Sequence, residues 1–279
     1  MTPSPPGPLP TFFIIGAPKA GTTSLSEYLA AHQDAYVPPQ KELYFFLGRW
    51  ENGVDWYRAQ FRGAGAARAI GEATPTYMYR DDALARMRET VPEARLVAIL
   101  RDPVDRLYSE YWYMRELGET RPFREVVRQE MDGGTTQLKR VVGYLEAGRY
   151  AAHLKRVSEH FLDESVLVLL MDDLRDDPVS TYARLCSHVG IDPERGPGAV
   201  PRANTAYRLR WPALRRAALR SRLPRRAPWL AKRLEAINRA PLRYPPMATD
   251  LRTELKEWYA ADNAELADRL GRDLSAWSR

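Results

Sequence analysis

Cysteine is nearly absent from this chain of 279 residues, and long apolar runs are missing from it. The single cysteine, Cys186, cannot form a disulfide within the chain, which excludes a disulfide scaffold and favours a reducing compartment. Glycine, at 17 residues, is too scarce for a collagen-like repeat. The longest wholly apolar stretches, such as 96–100 and 166–171, are far too short to span a bilayer. A hydrophobic content of 44% is nevertheless enough for a globular core.

The first ten residues lack the positive patch and the apolar run of a signal peptide. We therefore predict that residues 1–10 form a disordered leader and that residues 11–279 form one domain. The same absences predict a cytoplasmic protein that does not bind a membrane. The sequence leaves the oligomeric state open.

Acidic residues are almost missing from the segment 202–243, which carries 13 Arg and Lys but a single acid, Glu235. Its net charge is +12, so the rest of the chain, in a protein of +6 overall, carries −6. Several prolines interrupt the segment, and short helical patterns lie between them. We predict a basic helical insertion or lid. A charge of this size favours an anionic partner, and nucleic acid is the first candidate.

Short apolar runs alternate with helical patterns along the chain. Buried strands are predicted at 11–15, 95–100 and 165–171. Helices are predicted at 24–32, 103–117, 178–190 and 249–270. The second of these helices has strong start signals, because Asp102 can cap it and Pro103 fits its first position. The alternation predicts an α/β fold with a central parallel β-sheet flanked by helices.

A glycine-rich loop, Gly16-Ala-Pro-Lys-Ala-Gly-Thr-Thr23, joins the first strand to the first helix. There the free N–H groups and the dipole of the helix attract a phosphate. In the usual triphosphate loop, G-x-x-x-x-G-K-[ST], a lysine precedes the hydroxyl residue. Here Thr22 takes the lysine position, and Lys19 lies three residues earlier. This arrangement predicts a P-loop-type sheet with an anion site for a shorter ligand that presents a single phosphate.

A second motif, Leu96-Val-Ala-Ile-Leu-Arg-Asp-Pro-Val-Asp-Arg-Leu-Tyr-Ser109, places a serine eight residues after Arg101. Together with the loop Pro18-Lys-Ala-Gly-Thr-Thr-Ser-Leu25, it resembles sulfotransferases that use 3′-phosphoadenosine 5′-phosphosulfate (PAPS). The resemblance covers roughly residues 11–200 and 243–277. It implies transfer of the sulfuryl group from PAPS, with 3′,5′-adenosine bisphosphate (PAP) as the product and no metal.

Further segments are similar to the heparan-sulfate branch of that family. They are Lys41-Glu-Leu-Tyr-Phe-Phe46, Gly71-Glu-Ala-Thr-Pro-Thr-Tyr77, Gly148-Arg-Tyr150 and Arg243-Tyr-Pro-Pro-Met247. Three positions depart from the branch. Ala73 stands where those enzymes often carry a lysine, Tyr113 lies near a histidine of some N-sulfating relatives, and a basic Gly-Arg-Lys loop is reduced to Leu242-Arg243.

The resemblance assigns roles to particular side chains. Lys19 is expected to offset the charge that develops on the bridging oxygen, and Arg101 to hold the 3′-phosphate together with Ser109. Glu42 is expected to be the general base that takes the acceptor's proton, with Glu72 in reserve. The residues expected to bind PAPS are Lys19, Ala20, Gly21, Thr22, Thr23, Ser24, Arg101, Ser109 and Arg243.

Other interpretations stay open at this point. Without the resemblance, Lys41 and Glu42 would be a surface ion pair, and Arg101 could pair with a neighbouring aspartate. A P-loop kinase or ATPase could use Asp173, at the end of an apolar strand, to hold Mg²⁺. The basic segment leaves nucleic-acid binding as a second alternative. If the protein is a sulfotransferase, no nucleic-acid partner is expected. The acceptor is a small molecule or a glycan, with a hydroxyl or an amine as the nucleophile. Of the histidines, only His153 is kept as a candidate.

Overall fold

A parallel β-sheet of five strands lies at the centre of the fold, in the order β2-β3-β1-β4-β5. Every neighbouring pair in this sheet is parallel. The predicted α/β fold with a central parallel sheet and flanking helices is therefore confirmed. The strands are β1 (Phe12–Gly16), β2 (Ala35–Tyr36), β3 (Ala69–Ala73), β4 (Arg95–Leu100) and β5 (Val166–Leu170).

The computed structural model describes residues 6–134, 142–197, 207–209, 239–241 and 244–278. The chain divides into two compact units, of which Met1–Ala203 with Met247–Arg279 contains the sheet and its helices. The helices are α1 (Thr22–Ala30), α2 (Gly53–Ala59), α3 (Asp81–Thr90), α4 (Pro103–Leu117), α5 (Phe123–Met131), α6 (Tyr150–His160), α7 (Met171–Asp176), α8 (Pro178–Val189) and α9 (Thr249–Leu270). Single 3-10 turns cover Trp50–Asn52, Arg62–Ala64, Tyr77–Tyr79, Glu146–Gly148, Asp163–Ser165, Pro193–Arg195 and Ser275–Trp277.

The second unit, Asn204–Pro246, contains an antiparallel pair of strands, β6 (Tyr207–Leu209) and β7 (Arg239–Pro241). The segment predicted as a helical insertion or lid, 202–243, otherwise lies outside the described residues, and so does Arg243. In the predicted leader, Gly7 and Pro10 are buried, and the Gly7 carbonyl accepts a hydrogen bond of 2.8 Å from Arg58 Nε. Packing against the domain therefore begins before residue 11.

Both faces of the sheet are covered, as expected for parallel strands. All five residues of β1 are buried, and the first four, residues 12–15, alternate between two apolar clusters, one on each face. Helices α1 and α8 contribute to the cluster that contains Phe12 and Ile14. Helices α3 and α6 contribute to the cluster that contains Phe13 and Ile15. This double cover leaves the loops at the carboxyl ends of the strands as the natural place for chemistry.

The start of α4 follows the sequence prediction residue for residue. Asp102 caps the helix, because its Oδ1 accepts the N–H groups of Val104 at 2.8 Å and Asp105 at 3.1 Å, and Pro103 opens the first turn.

We expect Asp102→Ala to lower the free energy of unfolding by about 1 kcal/mol, since it removes the cap. Asp102→Asn, which keeps a capping oxygen, is the control. Urea denaturation of both variants measures the difference, and equal losses would show that stability depends on the charge of Asp102 and not on its capping oxygen.

Candidate functional site

The loop after β1 ends at the uncapped first turn of α1. Gly21 occupies the N-cap position with φ of 108°, a conformation that glycine adopts without strain, and no side chain caps the turn. A Cβ on Gly21 would lie 3.3 Å from Ile99 Cδ1, so the loop also packs closely against β4. Thr22 and Ser24 are buried, while Thr23 is exposed. The N–H groups of this turn are therefore placed to receive an anion.

Lys19 lies in the same loop and faces the middle of α4. Its ammonium group is 4.5 Å from the centroid of the Tyr113 ring, which is a cation–π contact. Burial lowers the pKa of Lys19, and Glu110 and Glu116 oppose that effect. Tyr113 thus supports the loop lysine from α4.

Arg101 follows directly after β4 and contacts the same loop. Its Nη1 donates to the Lys19 carbonyl at 3.4 Å. The ion pair considered for Arg101 is long, with 4.0 Å between its Nη2 and Asp105 Oδ2, whereas Arg252 Nη2 donates to Asp105 Oδ1 at 2.8 Å. The Arg101 side chain stays 28% exposed. Ser109 is buried about two turns further along α4.

Glu42 lies on the loop between β2 and α2 and is connected to the first turn of α1 by a lysine. Lys41 Nζ is 3.7 Å from Glu42 Oε1 and donates to Thr23 Oγ1 at 2.7 Å. Tyr44 donates its hydroxyl proton to Glu42 Oε2. The Lys41–Glu42 pair therefore exists, but it joins two loops of the site instead of standing alone on the surface. The Glu42 side chain remains 34% exposed, so an acceptor can reach it.

Strained backbone marks the same two loops. Three non-glycine residues of the described chain have positive φ: Lys19 at 67°, Glu42 at 64° and Tyr44 at 53°. Such conformations cost free energy, persist where surrounding contacts enforce them, and cluster at functional sites. The strain therefore points to the same place as the side-chain chemistry.

Glu72, the reserve candidate for the base, is not placed to meet a substrate. It lies in β3, is 1% exposed, and its two oxygens accept four hydrogen bonds from Leu43, Tyr57, Thr74 and Tyr77. Burial raises its pKa, which these bonds oppose. The structure therefore makes Glu72 an internal support of the loop that carries Glu42.

Two further positions that the sequence analysis singled out, His153 and Ala73, lie in the core. The ring of His153 is 1% exposed, accepts from Arg156 at 3.0 Å through Nδ1, and donates through Nε2 to the Glu146 carbonyl at 2.8 Å. Burial lowers its pKa to about 4, so it is a neutral packing residue. The side chain of Ala73 is a buried methyl group at the end of β3.

Sequence reasoning did not assign Lys41 or Tyr44 to the site, and it did not predict the contact between Tyr113 and Lys19. The signal for the first two was the run Lys41-Glu-Leu-Tyr44 itself, which surrounds Glu42 with polar groups. The contact between Tyr113 and Lys19 has no local pattern, because it joins residues that are far apart in the chain.

A surface cavity of about 570 Å³ lies at the opposite edge of the sheet, where β4 and β5 begin. It contains none of the predicted site residues, so the candidate site is defined by its side chains and not by this cavity. Its lining consists of Arg95, Leu167, Ala183, Arg184, Ser187 and His188.

The fold and the site together define an α/β protein that presents a helix N-terminus and several cations to an anion at the carboxyl edge of its sheet. Residues 9–200 match the family model for the sulfotransferase domain. The chain belongs to the sulfotransferase domain family.

Similar proteins include a solved sulfotransferase from Alicyclobacillus acidocaldarius, with 30% identity, a TM-score of 0.73, and coverage of 98% of this chain and 100% of that one. The chain is 28% identical to the mouse bifunctional heparan sulfate N-deacetylase/N-sulfotransferase 4, over 97% of this chain and 31% of that protein. It is 27% identical to the human heparan sulfate glucosamine 3-O-sulfotransferase 3B1, over 66% of this chain and 46% of that protein. The chain thus spans less than half the length of these curated relatives. In the described part of the chain, no helix has the length and apolar character needed to cross a membrane.

Proposed function

We propose that this protein transfers the sulfuryl group of PAPS to a hydroxyl or an amine of a small-molecule or glycan acceptor. The observation that carries the proposal is the convergence of Lys19, Arg101 and the Lys41–Glu42 pair around the uncapped first turn of α1. Membership of the sulfotransferase domain family supports the same reaction class.

The residues present fit a ligand with two anionic ends. The backbone N–H groups of the first turn of α1 and the hydroxyls of Thr22 and Thr23 would hold the 5′-phosphosulfate. Arg101 and Ser109 would hold the 3′-phosphate, the arginine through a forked pair of N–H donors. Arg243 is proposed as a further contact, although it lies outside the described residues. PAPS, when bound, supplies an activated sulfuryl group on a phosphate leaving group.

The side chains around the transferred group divide the chemistry between them. Glu42 takes the proton of the acceptor hydroxyl or amine as the acceptor atom bonds to sulfur. Lys19 offsets the negative charge on the phosphate oxygen as its bond to sulfur breaks, by analogy with phosphoryl transfer. Lys41 orients Glu42 relative to the first turn of α1, because its ammonium group contacts both Thr23 and Glu42.

A P-loop kinase fits the same geometry less well. Asp173, the candidate ligand for Mg²⁺, accepts hydrogen bonds from Arg272 on both oxygens, at 2.7 and 3.0 Å. A metal would have to displace this forked pair. The loop also presents Thr22 where a triphosphate loop has its lysine.

Cytoplasmic location and the absence of nucleic-acid binding stay predictions from the sequence.

Ligand-dependent melting tests the proposed cofactor. PAP at about 100 times its dissociation constant is expected to stabilise the fold by about 2.7 kcal/mol, and Mg-ATP by much less. Adenosine 5′-monophosphate, which lacks the 3′-phosphate, is the matched control and should stabilise less than PAP. Stabilisation by Mg-ATP but not by PAP would overturn the sulfotransferase assignment.

Transfer of labelled sulfate from PAPS to a panel of acceptors tests the reaction itself. The panel should contain sugar hydroxyls, amines, phenols and a heparan-type glycan, because the proposal covers these nucleophiles. Turnover with at least one class is expected. PAP binding without turnover in any class would leave a nucleotide-binding protein in place of the proposed enzyme.

A further inference from the structure

The backbone around the proposed base is held from inside the core. Leu43 follows Glu42 directly, and its N–H donates to Glu72 Oε2 at 3.3 Å. The next N–H, of Tyr44, donates to Thr74 Oγ1 at 3.4 Å, and that hydroxyl in turn donates to Glu72 Oε2 at 2.7 Å. Two successive amides beside Glu42 are therefore tied to one carboxylate oxygen.

The two oxygens of Glu72 serve different neighbours. Oε1 accepts from the hydroxyls of Tyr57 at 2.6 Å and Tyr77 at 3.1 Å, within the aromatic core. Oε2 accepts the Leu43 N–H and the Thr74 hydroxyl, and both of these groups connect it to the loop of Glu42. All four partners are donors, which suits an ionised carboxylate, since a carboxylate can only accept.

A tie at this point is needed because the loop is strained on both sides of it. Glu42 and Tyr44 have positive φ, and Leu43 between them is fully buried. Released from the carboxylate, the two residues would relax toward ordinary backbone angles, and the Glu42 side chain would change direction.

We propose that Glu72 is a positioning residue for Glu42: through Leu43 and Thr74 it fixes the backbone that aims the base. It contacts neither cofactor nor acceptor and acts through Glu42 alone. The inference rests on the proposed function for its catalytic part, while the anchoring of the loop stands independently of it.

Hydrogen exchange of the whole protein tests the anchoring without any acceptor. Glu72→Gln is expected to raise the exchange rate of amides in the segment 41–46 by at least about tenfold, because a charge-assisted bond is lost. Exchange in α8 should stay unchanged. Tyr57→Phe removes a donor from Oε1 only, so it serves as the matched control and should leave 41–46 protected. Thr74→Val removes the hydroxyl that connects Glu72 Oε2 to the Tyr44 N–H, and it provides a second variant should Glu72→Gln fold poorly.

Turnover tests the positioning role, with the acceptor that performs best in the panel above. Glu72→Gln should lower kcat about 10–100-fold with PAP binding unchanged, because misplacing a reacting group is costly. In an E42Q background the same substitution should cost nothing further, since Glu72 acts through Glu42. An equal loss in both backgrounds, or unchanged exchange in 41–46, overturns the proposal. Faster exchange in 41–46 in a protein that neither binds PAP nor turns over would overturn the proposed function and leave the anchor.

Discussion

Replacing Glu42 by glutamine is expected to lower kcat about 10²–10⁴-fold while the affinity for PAP stays unchanged. Glutamine keeps the shape of the side chain and can still contact Lys41 and Tyr44 through its amide, but it cannot take a proton. The loss therefore isolates proton transfer from the architecture of the loop. The measurement is labelled-sulfate transfer at saturating PAPS, with PAP binding followed by the melting shift.

A matched control is available in the same part of the chain. Glu51 is an exposed carboxylate nine residues further on, in the turn that precedes α2. Glu51→Gln removes the same charge from the same region and should leave kcat unchanged. Turnover at the native rate in Glu42→Gln would remove Glu42 from the role of base. An equal loss of PAP binding would instead place it among the cofactor contacts.

Replacing Lys19 by methionine is expected to lower kcat about 10²–10³-fold, because the charge it offsets develops only as the sulfur–oxygen bond breaks. Methionine keeps most of the length and can make a sulfur–aromatic contact with the Tyr113 ring in place of the cation–π contact, so the variant removes charge with little change in packing. PAP binding should weaken less than kcat falls. Lys155→Met, on α6, is a control for loss of a positive charge outside the site.

The pH dependence of kcat/KM for PAPS provides an independent check on Lys19. Burial lowers the pKa of this lysine, so the free enzyme should lose its cation at a pH below the ordinary range of lysine. Activity then falls as the pH rises through that pKa. In Lys19→Arg the alkaline decline should move to higher pH, since arginine stays protonated. A decline at the same pH in the arginine variant would assign it to another group.

The elements with strong local signals could be predicted from the sequence. Strand β4 and helices α4 and α9 have the predicted bounds, because a continuous apolar run, an Asp-Pro start and a long amphipathic pattern are each encoded locally. Strand β3 was not predicted. Its sequence, Ala69-Ile-Gly-Glu-Ala73, has no alternation and includes a glycine and an acid. Contacts with β1 and β2, not local propensity, make it a strand.

The same distinction holds within the candidate site. Lys19 and Arg101 follow parallel strands that are neighbours in the sheet, so their convergence could be expected from the fold class. The contact between Lys41 and Thr23 joins residues 18 positions apart, and the one between Glu72 and Leu43 joins residues 29 apart. Neither has a local pattern. The burial of Glu72 could not be predicted for the same reason, because it depends on the aromatic residues that surround it.

The positive φ angles at Glu42 and Tyr44 create a trade-off between stability and activity. A glycine at either position would adopt these angles without strain. Selection for thermal stability alone would therefore favour glycine there. Such a variant would lose the carboxylate of Glu42 or the hydroxyl of Tyr44, which contact each other in this loop. Engineering for robustness should therefore leave these two positions untouched and seek its gains elsewhere, for example at exposed positions of α9.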